Sequence, residues 1–234
     1  MADAVSIQRD YYRRTASHYD SAHTDSVSEH DFSLAFMLSM INFLDIDSVL
    51  DIGSGTGRAI LQTKAAYPEM KITAIEPSLE LRMIGHAKGL SEDELIDGDA
   101  QRLAFADGEF DLVCEFGALH HIPDPHQAID EMLRVARKAI FISDCNNFGQ
   151  GGLASRTTKQ VLRSLHLWKA ADFVKTRGKG YTISEGDGLA YSYSVFSDYS
   201  KISRHCKSVH LLNTKPSGMN LYRSSMHIAL LGIK

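Results

Sequence analysis

The stretch that decides the fold reads Val49-Leu50-Asp51-Ile52-Gly53-Ser54-Gly55-Thr56-Gly57. Apolar residues lead into an acid, and three alternating glycines then precede a helical pattern. Because glycine tolerates sharp turns and lets a ligand approach the main chain, this order predicts a strand, a tight turn and a helix beside a nucleotide-like ligand. A dinucleotide-binding turn, G-x-G-x-x-G, needs a third glycine where this chain has Arg58. The spacing therefore disfavours a dinucleotide, and a tight turn without any ligand stays an alternative.

Length and composition fit a single α/β domain. The chain has 234 residues, 44% of them hydrophobic, with 25 basic and 29 acidic side chains and a formal charge of −4. This mild negative balance argues against a nucleic-acid partner bound through its phosphates. The three cysteines lack C-x-x-C spacing, and no apolar run is long enough to span a membrane. We therefore expect a cytoplasmic protein, and its oligomeric state is left open.

Strand and helix patterns alternate through the middle of the chain. Short apolar runs predict strands at 48–52, 71–75, 94–97, 110–116 and 139–143, and the helical patterns between them cover 58–66, 79–88 and 127–137. Apolar runs separated by helix-length crossovers are typical of parallel strands buried on both faces, so we predict a doubly wound α/β sheet. Two further strands, 208–213 and 226–233, flank a Pro216-Ser217-Gly218 turn signal and predict an antiparallel C-terminal hairpin that brings the sheet to seven strands.

The flanking segments follow different patterns. Helical spacing is present in 3–20 and again from Phe32 to Leu44. After a glycine-rich turn cluster, the chain predicts a helix over 153–168, an irregular glycine- and tyrosine-rich stretch over 178–193, and a short helix near 196–206. We divide one domain, 1–234, into four parts: an N-terminal helical lid, 1–45; a core, 46–145; an inserted cap, 146–206; and the hairpin, 207–234.

Two motifs in the core resemble class I S-adenosylmethionine-dependent methyltransferases. Asp51-x-Gly53-x-Gly55-x-Gly57 is similar to motif I of that family. The run Phe110–Phe116, followed by Leu119-His120-His121-Ile122-Pro123-Asp124, resembles motif IV of the small-molecule branch that includes ubiquinone- and menaquinone-type enzymes. The resemblance covers roughly residues 45–145. One departure is the absence of a Lys-Pro-Gly-Gly-like turn before the fifth strand, at the end of the strands distant from the ligand.

The resemblance implies a Rossmann-like sheet that binds S-adenosylmethionine, leaves S-adenosylhomocysteine as product, and methylates a small-molecule or peptide-like acceptor at an oxygen, nitrogen or carbon atom. The residues expected to bind the cofactor are Asp51, Gly53, Ser54, Gly55, Gly57, Glu76, Pro77, Leu81, Asp99, Ala100, Phe116, Tyr11 and Tyr19.

The expected roles follow the parts of the cofactor. The glycine turn faces the methionine portion, whose carboxylate lies near the following helix N-terminus. Asp51 either orients the amino end or fastens the turn internally. Glu76 lies about twenty residues past the turn and is expected to accept hydrogen bonds from both ribose hydroxyls, although a helix N-terminus near Ser78 also favours an acid.

The residues expected at the adenine ring and in the lid each have a second interpretation. Asp99 and Ala100 are expected at the adenine ring, with Asp97 as a competing acid and a solvated loop acid as the other reading. Leu81 packs against adenine or simply in the core. Tyr11 and Tyr19 resemble a lid segment over the cofactor, and they also suit an amphipathic helix packed on the sheet.

The candidate general bases are His120 and His121, because histidine titrates near neutrality, and His121 is preferred. Asp144, Asn146 and Asn147 resemble the metal ligands of catechol-type methyltransferases, but the rest of that pattern is missing and no metal is predicted. The cap contains aromatic rings that either line an acceptor pocket or pack internally: Trp168, Tyr181, Tyr191, Tyr193, Phe196 and Tyr199. Two other functions stay open: a catalytically silent S-adenosylmethionine-binding regulatory or assembly protein, and a nicotinamide-dependent oxidoreductase.

Overall fold

The strands of the central sheet follow the apolar runs of the sequence. In the computed structural model, which describes residues 4–16, 29–215 and 220–234, they are β1 (Ser48–Ile52), β2 (Lys71–Ile75), β3 (Leu95–Ile96), β4 (Phe110–Phe116), β5 (Ala136–Cys145), β8 (Ser208–Asn213) and β9 (His227–Ile233). Their order is β3-β2-β1-β4-β5-β9-β8. The first five strands pair in parallel, and β9 is antiparallel to both β5 and β8. This confirms the predicted seven-stranded, mostly parallel sheet with an antiparallel C-terminal hairpin.

Eight helices surround this sheet in the described part of the chain. They are α1 (Ala4–Thr15), α2 (Glu29–Ile41), α3 (Arg58–Ala66), α4 (Leu79–Ala87), α5 (Pro125–Val135), α6 (Leu153–Ser164), α7 (Trp168–Lys175) and α8 (Tyr199–His205). Their starts follow local chemistry: Ser78 accepts a hydrogen bond from Leu81 N at the start of α4, and Asp124 accepts one from Gln127 N ahead of Pro125 in α5. None of the helices that the structure describes combines the length and apolar character needed to cross a bilayer.

The core lies on both faces of the sheet, which explains why the strands are apolar without alternation. Successive residues of one strand point to opposite faces, so Leu112 and Cys114 pack with α2 while Val113 packs with α5. The same division holds along β5, where Phe141 faces α2 and its neighbours Ile140 and Ile142 face α5. Both faces are therefore closed to solvent, and the ends of the strands are left for a ligand.

The strand order places that ligand position. Strand β1 lies between β2 and β4, so the chain leaves β1 to one side and later returns on the other. At such a switch point the loops beyond the carboxyl ends separate and leave a crevice.

Two features of the cap differ from the prediction. The helix expected over 153–168 is broken into α6 and α7, because His166 takes a left-handed φ of 59° that a continuous α-helix does not accommodate. The stretch expected to be irregular forms an antiparallel hairpin of β6 (Tyr181–Ser184) and β7 (Gly188–Tyr191). Its turn, Glu185-Gly186-Asp187, leads into Gly188, and this Asp-Gly signal is typical of hairpins. Tyr19 and the Pro216-Ser217-Gly218 signal lie outside the described residues.

Candidate active site

A cavity of about 260 Å³ lies at the carboxyl ends of β1, β2 and β4. Many residues that the sequence assigned to the cofactor line this one cavity: Gly53, Gly55, Glu76, Pro77, Leu81, Asp99, Ala100 and Phe116, together with the candidate base His121. Four other candidates, Asp51, Ser54, Gly57 and Tyr11, are not among the lining residues, and neither is His120.

The glycine turn needs glycine for two separate reasons. Gly53, Gly55 and Gly57 all have positive φ, of 66°, 59° and 79°, in the region that side chains with a Cβ rarely occupy. A Cβ on Gly53 would also lie 2.4 Å from Ala118 Cβ, in the loop after β4. The turn therefore packs directly against the tip of the neighbouring strand, and the cavity forms beside that contact.

Hydrogen bonds fix the turn to the end of β2. Ser54 N donates to Ile75 O at 3.0 Å, and Gly57 N donates to Ser54 O at 2.9 Å. Ser54 and Gly57 thus shape the turn through their main chains, whereas Gly53 and Gly55 form the wall of the cavity.

Glu76 joins the glycine turn to the start of α4. The Glu76 carboxylate accepts hydrogen bonds from Gly55 N at 3.0 Å and from Ser78 N at 2.8 Å, and Glu76 is only 4% exposed. Burial raises the pKa of Glu76 to about 7, although the two amide bonds oppose the shift. A carboxylate oxygen has room to accept more than one hydrogen bond, so the two amides hold Glu76 in place and leave capacity for ligand hydroxyls.

This shifted pKa predicts a pH-dependent affinity for S-adenosylmethionine. Only the ionised carboxylate accepts two ligand hydroxyls, so affinity should rise as pH increases through about 7 and fall by up to about tenfold per unit below it. Isothermal titration calorimetry between about pH 5.5 and 8.5 measures this dependence. The Glu76→Gln variant is the control: it retains the titration of the ligand and of other groups, so an identical pH profile in both proteins would contradict the prediction.

Asp51 lies behind the turn. It is 2% exposed, and Cys114 Sγ lies 3.7 Å from its Oδ1. Burial raises the pKa of Asp51 to about 7. Both roles considered for Asp51, orienting the amino end of a ligand and fastening the turn, stay open, since the carboxylate is close to the turn but not in the cavity wall.

The opposite end of the cavity is formed by α4 and the loop after β3. Leu81 is almost completely buried, and its side chain still lines the cavity. Asp99 Oδ1 accepts a hydrogen bond from Gln101 N at 2.9 Å, and the competing acid Asp97 pairs with Arg82 Nη1 at 2.6 Å. Both acids line the cavity, and Asp97 differs from Asp99 in pairing with Arg82, so the choice between them stays a prediction.

The two candidate bases occupy different positions. His121 lines the cavity, and its Nδ1 lies 2.6 Å from Leu189 O. His120 Nδ1 lies 2.7 Å from Asp144 Oδ1, at the end of β5. Burial disfavours the charged imidazole, but Asp144 and Asp187 outweigh it and raise the pKa of His120 well above its usual value. His121 is therefore the histidine with access to a bound ligand.

A cover, formed by α1 and the β6–β7 hairpin, lies over the cavity. Leu189 of β7 joins the two parts of the cover and fastens them to the segment after β4. The Leu189 N–H donates to Gln8 Oε1 of α1 at 2.6 Å, and the Leu189 carbonyl accepts from His121 Nδ1. Tyr11 OH donates to Glu185 O at 3.1 Å, so this ring binds the hairpin. Its neighbour Tyr12 lines the cavity instead.

The sequence missed several wall residues, namely Gln8, Arg9, Tyr12 and Gln101, whereas Tyr191, one of the cap aromatics expected to line a pocket or pack internally, does line the cavity. No local motif marks Gln8 or Tyr12, because their positions depend on where α1 docks.

Asn146, which resembled a metal ligand in the sequence, makes hydrogen bonds within the protein: its Nδ2 donates to Tyr222 O and Ser225 O, each at 2.9 Å. This holds the loop before β9 in place.

Comparisons with known proteins identify the relatives of this chain. A family model described as a methyltransferase domain matches residues 50–142. A norajmaline N-methyltransferase from Rauvolfia serpentina is 33% identical over 132 residues, which are 50% of this chain and 45% of that protein. A demethylmenaquinone methyltransferase from Listeria welshimeri is 34% identical over 161 residues, 67% of this chain and 66% of that protein. The matches thus span about half to two thirds of the length of these relatives.

The fold also has solved counterparts. A magnesium protoporphyrin IX methyltransferase from Synechocystis, crystallised with bound S-adenosylhomocysteine, superposes with a TM-score of 0.61 at 15% identity, covering 99% of this chain and 100% of that one. At this identity the similarity shows the fold alone.

Fold, motifs and relatives together define the class: the chain belongs to the class I S-adenosylmethionine-dependent methyltransferases. S-adenosylmethionine is the methyl donor of this family. None of these similarities supports the nicotinamide-dependent alternative.

Proposed function

We propose that this protein transfers the methyl group of S-adenosylmethionine to a small-molecule acceptor. The supporting observation is that the glycine turn, Glu76 and Asp99 come from three separate loops and line one cavity at the switch point of the sheet. When bound, S-adenosylmethionine supplies an electrophilic methyl group on a sulfonium. The activity of the relatives also supports methyl transfer, and the acceptor atom stays open.

The proposed contacts with the cofactor change along the cavity, from main-chain contacts at the glycine turn to carboxylate contacts at Glu76 and Asp99. Gly53 and Gly55 allow the ligand's amino-acid portion to approach the backbone, with the N-terminus of α3 nearby for its carboxylate. Glu76 accepts from the ribose hydroxyls. Asp99 and Ala100 contact the adenine edge, and Leu81 packs on the ring. These assignments transfer the cofactor contacts of the family to residues that line the same cavity in this chain.

The protein's contribution to rate is positional. Displacement at a methyl group requires the acceptor atom, methyl and sulfur in line, and holding reactants in such an arrangement is worth up to about 7–11 kcal/mol in model systems. Phe116, Tyr12 and Tyr191 line the cavity and suit a flat or extended apolar acceptor. His121 lies where it could take a proton from an acceptor hydroxyl, which an amine acceptor that is already neutral does not need.

The test is label transfer. The protein is incubated with S-adenosylmethionine labelled in the methyl group and with panels of phenols, amines and carboxylic acids, and mass spectrometry follows S-adenosylhomocysteine and methylated product together. We expect stoichiometric formation of both with one acceptor class. Tight binding of S-adenosylmethionine without transfer to any acceptor would instead favour the catalytically silent regulator.

A cytoplasmic location and the absence of a nucleic-acid partner stay predictions. The three cysteines are free thiols in the structure.

A further inference from the structure

Three side chains at the edge of the cavity, His120, His121 and Asp187, form a cluster of potential metal ligands. Each offers one ligand atom, and these atoms lie within 4.8 Å of one another. His120 and His121 follow β4, whereas Asp187 lies in the turn of the β6–β7 hairpin. The cluster therefore joins the sheet to the cover.

Both imidazoles use the same ring nitrogen for an orienting hydrogen bond. His121 Nδ1 lies 2.6 Å from Leu189 O, and because a carbonyl only accepts, this nitrogen carries a hydrogen. His120 Nδ1 lies 2.7 Å from the Asp144 carboxylate, which also accepts. Metal-binding histidines characteristically donate their second nitrogen to a carboxylate or a backbone carbonyl. With Nδ1 engaged, the Nε2 atom of each ring is the nitrogen that is left to bind a metal ion.

Both Nε2 atoms face the same carboxylate. His120 Nε2 lies 3.4 Å from Asp187 Oδ2, and His121 Nε2 lies 3.4 Å from Asp187 Oδ1. A charge-assisted N–H···O bond is shorter, about 2.7–2.9 Å. Two ligand atoms bound to one tetrahedral zinc ion at about 2.0–2.2 Å lie roughly 3.4 Å apart, which matches the separation of each Nε2 from the Asp187 oxygen that it faces.

We propose that this cluster is a Zn²⁺ site in which His120 Nε2, His121 Nε2 and the Asp187 carboxylate are the protein ligands. Three ligands leave a fourth tetrahedral position for water or another non-protein group, the arrangement of zinc sites that act in chemistry. His121 also lines the cavity, so the ion lies beside the proposed methyl acceptor. With both ring nitrogens engaged, a zinc-bound His121 does not itself serve as the general base. Asp144 and the Leu189 carbonyl orient the two rings.

The test measures zinc binding directly. The full chain is freed of metal with a chelator and titrated with ZnCl₂ by calorimetry, without S-adenosylmethionine or acceptor. We expect one zinc ion per chain. Asp144→Asn should weaken binding about 10–100-fold, as for other orienting partners of metal-bound histidine. Asp187→Asn should weaken it at least as much, because it removes a ligand from an exposed turn where the substitution leaves the fold intact.

Two matched controls separate this site from surface binding. Glu185→Gln removes an acid from the same turn and keeps the main-chain carbonyl that accepts from Tyr11 OH. His126→Ala removes a histidine of α5 that pairs with Asp198. Both should bind zinc like the original protein. Visible absorption of the Co²⁺-loaded protein gives a second measurement, since tetrahedral Co²⁺ absorbs far more strongly than octahedral.

Absence of a one-to-one zinc complex, or equal affinity in Asp187→Asn and Glu185→Gln, would overturn the proposal and leave Asp187 as a proton-sharing partner of the two histidines. The inference is independent of methyl transfer, because the titration contains neither the donor nor an acceptor.

Discussion

Gly53→Ala is expected to destabilise the protein by about 2–5 kcal/mol. A Cβ at this position lies 2.4 Å from Ala118 Cβ, and inserting a methyl group into a packed site costs about 1–3 kcal/mol. The left-handed backbone, with φ of 66°, adds about 1–2 kcal/mol for any residue with a Cβ. Neither atom is at the end of a flexible side chain, so the strand tips themselves must move apart.

Thermal unfolding measures this effect, at about 2–4 °C of Tm for each kcal/mol in a protein of this size. Gly180→Ala is the matched control, because Gly180 has a similar positive φ, of 76°, but a Cβ there meets nothing within 4 Å. The difference between the two variants isolates the contact with Ala118. Equal losses of stability in both would show that this contact is not tight. Weaker S-adenosylmethionine binding should accompany the loss in Gly53→Ala alone, since Gly53 lines the cavity.

Glu76→Ala is expected to weaken S-adenosylmethionine binding by about 1–3 kcal/mol, the cost of leaving charge-assisted hydrogen bonds unmade. This corresponds to roughly a 5–150-fold higher Kd. The effect has two sources: the ribose hydroxyls lose their acceptor, and Gly55 N and Ser78 N lose the carboxylate that holds the turn against α4.

Calorimetry at a pH above about 8 keeps the carboxylate of the original protein ionised for the comparison. Glu69→Ala, which removes an exposed acid outside the cavity wall, controls for the change in net charge. Circular dichroism checks that each variant is folded before its affinity is compared. Unchanged affinity in Glu76→Ala would remove this residue from the site and would contradict the ribose assignment.

The sheet was predictable because its signals are local. Each strand is a short apolar run, and β1, β2 and β4 begin and end where the sequence pattern indicates. Glycines at alternate positions mark the turn, since few other residues take its backbone angles. Glu76 follows a strand directly, so the parallel arrangement alone brings it to the cavity.

The cover was not predictable from the same kind of signal. Gln8, His121 and Leu189 are distant in sequence, and their hydrogen bonds form only after α1 and the hairpin dock. The choice of Tyr12 over Tyr11 as a wall residue depends on how α1 is rotated about its axis. Aromatic spacing indicates a helix but leaves that rotation undetermined.

The sequence by itself determined the doubly wound sheet, the glycine turn and the acids that follow the strands. Periodicity and backbone preference act between neighbours in the chain, and parallel pairing then places all strand tips at one edge. Tertiary structure alone decided which histidine reaches the cavity, what covers it, and how Asp187 comes to face both imidazoles. Those contacts join segments far apart in the chain, and their geometry is set by packing, which no local pattern encodes.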